Sequence, residues 1–131
     1  MNTSYDDIYT EFITNTKTDD INLPNSQEKT YDSIHSAIRH YNNRLRDNLN
    51  FDDDNENVDR SLNNDELLLI AHYLRISFLK NQKSEFVTTW SPFEKDIGIK
   101  NYQSQVKALQ ETINEEESTI EKIIFNSMTS I

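Results

Sequence analysis

Asp52, Asp54 and Glu56 alternate along the chain at the spacing of oxygen ligands in a calcium-binding loop. The match ends there. Counting from Asp52, the sixth position is Asn57, where the loop needs Gly, and the twelfth is Asn63, where it needs a bidentate Glu. The run is therefore expected to be a solvated loop, with its like charges spread through water. His35, His40 and His72 are the only imidazoles. None stands in a His-Glu-x-x-His pattern, and the absence of Cys removes thiolate metal sites, thiolate catalysis and disulfides. His72, beside Tyr73 among leucines, reads as a core-edge histidine with one hydrogen-bonded nitrogen. The serines lack the glycine-rich turn of a nucleophile elbow. The adjacent acids Asp19-Asp20 and Glu115 to Glu117 read as solvated surface, since paired catalytic acids usually come from distant positions. Gly98 is the single glycine, which removes phosphate loops and dinucleotide fingerprints. No catalytic residue, metal site or cofactor is expected, and the chain is read as a non-enzyme.

A second chemistry is recognition by aromatic side chains. Phe86, Trp90, Pro92 and Phe93 cluster in one short stretch. Such residues on a rigid turn bury much area at low entropic cost, so they are read either as a loop folded over the core or as a protein-protein anchor. One version serves both, with Trp90 packed inside and Phe93 presented outside. Arg39 and Arg44 are candidates for binding carboxylates across a subunit boundary in an otherwise acidic chain. With Tyr102, these residues make up the expected interface.

The elements that must position these groups are helices. Ser4 with Asp7 resembles a capping box, and Tyr5, Ile8, Tyr9, Phe12 and Ile13 follow on one face, predicting a helix over about 4–16. A linker over 18–25 holds the Leu23-Pro24 step, which disfavours helix at Leu23. Tyr31, Ile34, Ile38, Tyr41, Leu45 and Leu49 recur by three and four and predict a helix over about 26–48, with Arg39, Arg44 and Arg46 largely outside the stripe. A polar loop spans 50–63. Asn63 or Asn64 caps a helix over about 65–82, apolar round most of its circumference and so expected at the centre of the bundle. The segment 84–100 is expected as an ordered aromatic loop, with a short strand over 85–90 as the alternative. A long helix over about 101–127 keeps the stripe Tyr102, Val106, Leu109, Ile113, Ile120 and Ile124, interrupted by Glu115 to Glu117. At ~1.5 Å per residue it is roughly 40 Å long, more than a compact bundle needs, so its far end is expected to pack on another subunit.

With 131 residues the chain is expected to form a single domain, residues 1–131, of all-α class: a four-helix bundle whose apolar third helix is central. Its 13 basic and 23 acidic side chains give a net charge of −10. That argues against nucleic acid held through phosphate neutralisation. A hydrophobic fraction of 34% leans towards disorder, and the helical periodicity decides against it. The N-terminus has no apolar targeting core. The stretch from Leu67 to Leu79 is too short to span a bilayer, so a soluble intracellular protein without membrane contact is expected.

Three stretches together resemble a known group: Ala37-Ile38-Arg39-His40-Tyr41-Asn42; Asn64-Asp65-Glu66-Leu67-Leu68-Leu69-Ile70-Ala71-His72-Tyr73-Leu74; and Trp90 through Tyr102, which opens Trp-Ser-Pro-Phe-Glu-Lys. They resemble small structural proteins of tailed phages of low-GC Gram-positive bacteria, and among these the helical head-tail connector, or neck adaptor, proteins. The resemblance runs from about Tyr5 to Ile123. It implies a helical bundle that docks under the portal protein, contacts neighbouring neck and tail proteins, and closes a homo-oligomeric ring round the DNA channel. DNA would pass without sequence-specific binding, repelled by acidic walls. The implied location is the virion neck, after assembly in the bacterial host cytoplasm. The rival expectation is a small acidic phage inhibitor of a host defence nuclease, its acidic tracts imitating DNA.

Overall fold

The computed structural model describes residues 2–15 and 27–129. The expected linker over 18–25, and the first residue of the helix expected from 26, lie outside the described residues. Helix α1 spans Tyr5–Asn15 and opens on the expected box: Ser4 Oγ accepts from the Asp7 amide at 3.1 Å, and Asp7 Oδ2 from the Ser4 amide at 3.4 Å. Helix α2 spans Gln27–Leu45. It stops short of residue 48 because Arg46 turns to a φ of 57°, a left-handed conformation that ends helices. The Asp47 amide then bonds back to the Asn42 carbonyl at 3.1 Å.

The polar loop is more ordered than a solvated acidic run. Strands β1 (Phe51–Asp52) and β2 (Asn57–Val58) pair antiparallel, Phe51 opposite Val58 and Asp52 opposite Asn57. The N-terminal residues lie along this hairpin: the amides of Tyr5 and Val58 bond to the carbonyls of Glu56 and Thr3 at 2.8 and 3.0 Å. Asp52 folds over the turn, accepting from the amides of Asp54 and Asn55 at 3.0 and 3.2 Å. Asp59 accepts from the Asn50 amide and side chain.

Helix α3 spans Asn64–Trp90 and begins in a complete capping box between Asn63 and Glu66. It packs against α1, α2 and α5, the central place that its all-round apolar surface predicts. Phe12, Ile8, Ile34, Ile38, Tyr41, Ile70 and Ile113 are its neighbours or members in one buried core. The expected aromatic loop over 84–100 is helical instead, and so is the alternative strand. Helix α3 continues through Glu85 to Trp90, a 3-10 turn holds Ser91–Phe93, and a one-turn helix α4 spans Glu94–Ile97. Gly98 then breaks the chain at φ 88° before α5, Ile99–Thr129. The fold is all-α, with four long helices among the described residues.

Candidate functional site

Two kinds of surface follow from this arrangement. Along α3 the last buried side chain is Leu79, and along α5 the first is Ile113. Between them the two helices extend past the core as an antiparallel hairpin in which no described side chain is fully buried. At ~1.5 Å per residue, Lys80 to Trp90 alone adds roughly 15 Å. Lys83 Nζ donates to Gln110 Oε1 across the pair at 2.6 Å, and Phe86 stacks on Tyr102 with ring centroids 5.8 Å apart. At the tip, Trp90 meets Phe93 edge to face at 6.3 Å. Trp90 is 42% exposed, Phe93 49% and Ile99 53%.

The structure thus brings Phe86, Trp90, Pro92, Phe93 and Tyr102 to one end of the molecule. Both Trp90 and Phe93 face solvent, so the version with Trp90 packed inside does not hold. Arg39 and Arg44 lie elsewhere. Arg39 sits over the Phe51 ring, 5.9 Å from its centroid. Arg44 grips Glu121 of its own chain in a bidentate pair, Nε to Oε2 at 3.1 Å and Nη2 to Oε1 at 2.9 Å. Ile99, Lys95 and Lys100 join the tip without having been singled out in the sequence. The signal was the run Ile97-Gly98-Ile99-Lys100, which places an apolar residue directly after a forced turn.

Nearer the core, α2, α3 and α5 enclose a half-open groove of about 320 Å³ lined by His40, Arg44, Tyr73, Ile76, Lys80, Glu117, Ile120 and Glu121. His40 stacks against Tyr73 with ring centroids 6.2 Å apart. Glu116, expected to interrupt the apolar stripe, is instead buried against α3. One of its oxygens meets His72 Nδ1, and the other accepts from Arg75 Nε at 3.3 Å. His72 is the core-edge histidine that its neighbours predict, with a single bonded nitrogen. Arg75 Nη1 is buried without a hydrogen-bond partner.

A second polar cluster ties α2 to α3. The Tyr41 hydroxyl lies 2.9 Å from both Asp47 and Glu66, and Arg60 Nη2 reaches the same two carboxylates at 2.5 Å. The Arg60 hydrogen bond holds the Asp47 carboxyl far below the usual aspartate range. For Glu66, burial pushes upward, but bonds from the Asn63 amide, Arg60 and Tyr41 outweigh it and the net shift is downward. Asp53, in the hairpin turn, accepts from the Tyr5 hydroxyl at 2.6 Å and from His35 Nε2 at 2.7 Å. An ionised carboxylate has no proton to give, so Nε2 carries it. Those two bonds, Tyr5 first, lower the Asp53 pKa, while burial first and Asp53 second raise that of Tyr5. These clusters bond their own chain and read as structure. Among the described residues no group of three His, Asp or Glu is placed to hold a metal ion, and no helix is long and apolar enough to cross a membrane.

Against known proteins, the chain matches the YomZ prophage protein family over residues 1–129. It is 46% identical over 125 residues, 95% of either chain, to the SPbeta prophage-derived uncharacterized protein YomZ of Bacillus subtilis (strain 168). No solved structure matches it. The chain belongs to the YomZ prophage protein family.

Proposed function

We propose that this prophage-family protein is a structural virion protein, a neck adaptor that docks on the portal and joins a ring of copies round the DNA channel. One observation carries the reading: a two-helix projection beyond the core ends in exposed Trp90, Phe93 and Ile99. A helical arm tipped with large apolar side chains, joined to a body that already has its own core, has the anatomy of a docking element. The net charge of −10 suits a wall past which DNA must slide.

The rival inhibitor reading draws less support. A DNA mimic needs its carboxylates in solvent along one face, whereas Asp52, Asp53 and Asp59 are engaged in the hairpin and Glu116 is buried. The deciding experiment is mass spectrometry of purified particles from an induced lysogen, with portal and capsid proteins as internal standards. The adaptor reading expects this chain in the particles at a stoichiometry equal to the portal's. Absence from particles, with abundance early after induction, would overturn it in favour of the inhibitor.

A further inference from the structure

We draw no further inference here: the strongest candidate, the half-open groove of about 320 Å³ between α2, α3 and α5, sets Arg44 and Lys80 against Glu117 and Glu121 in its lining, and nothing in the structure shows what covers it.

Discussion

Arg60 stands between two carboxylates that would otherwise face one another. Asp47 and Glu66 both lie 2.5 Å from Nη2, and Tyr41 bridges them from the core side. Removing the guanidinium by Arg60→Ala leaves two partly buried acids with one hydroxyl proton to share. The expected loss is about 1–2 kcal/mol, discounted because Arg60 is 35% exposed, read as a lower urea midpoint with an unchanged slope. The same cluster predicts acid sensitivity. The folded pKa of Asp47 lies below its unfolded value, so its contribution is fully present above the ordinary aspartate range and is lost progressively as pH falls from that range down through the lowered folded value. Urea midpoints measured down this window should fall less steeply in Arg60→Ala than in the native chain. Equal slopes would show that the pair contributes nothing to acid unfolding. Neighbouring acids in the hairpin separate in the same manner. Asp53 holds Tyr5 and His35, whereas the Asp54 carboxylate makes no hydrogen bond among the described residues. Asp53→Ala should cost about 0.5–1.5 kcal/mol and Asp54→Ala almost nothing, measured by thermal denaturation. The run Asp52 to Asp54 is uniform in sequence; only the fold ties Asp52 into the turn and Asp53 to distant partners.

At the scale of elements, the two breaks in α3 and α5 have different weights. Asn63 closes a solvent-facing capping box at the root of α3, sharing Glu66 with the Arg60 cluster. Asn63→Ala should lower global stability by about 1 kcal/mol. Gly98 sits at the far end of the arm at φ 88°, where a Cβ would meet Asn101 Nδ2 at 3.7 Å, an ordinary contact, so substitution there meets backbone strain and no clash. Gly98→Ala carries a strain of roughly 1–2 kcal/mol, but no described side chain of the arm is fully buried, so the cost falls on local opening of the tip. Its urea midpoint should stay near native, while amide exchange over 94–102 quickens. A midpoint shift as large as that of Asn63→Ala would mean that the arm unfolds with the body. The contrast also explains what the sequence made legible. The caps at Ser4 and Asn63 and the stripes of α1, α2 and α5 are local signals that burial reinforces. In Phe86-Val87-Thr88-Thr89-Trp90, aromatic and β-branched residues favour a strand locally, and pairing with Tyr102 on α5 overrides that preference. Ser91-Pro92 reads as a loop, yet Pro is tolerated in the first turn of the 3-10 segment, where its missing amide is not needed. The aromatic residues of the arm were legible as a cluster because most of them are close in sequence. The groove was not, because its lining comes from three separate helices.

Taken whole, the molecule is an acidic body with a charge-balanced, aromatic-tipped arm, and stability should divide along the same line. The body holds every fully buried side chain among the described residues, with Leu69 to Leu79 of α3 facing Ile113 to Ile124 of α5. Burial of such side chains contributes about 1.5–3 kcal/mol each, so the body opens only by global unfolding. The arm is joined by the Phe86–Tyr102 stack, the Lys83–Gln110 hydrogen bond and partly buried side chains. Native-state hydrogen exchange should therefore show amides of 69–79 and 113–124 exchanging together at the global rate, with 84–107 exchanging far faster through sub-global opening. Uniform protection along α3 would contradict this division and make the arm part of the core. The adaptor reading proposed above seats the exposed Trp90 against the portal, which would add the burial that the free arm lacks, so under that reading protection over 84–107 should rise when purified portal protein is added to the free chain. Unchanged protection at saturating portal would show that the arm is not the element that docks, and the size of any rise measures how much of the arm's order the contact supplies.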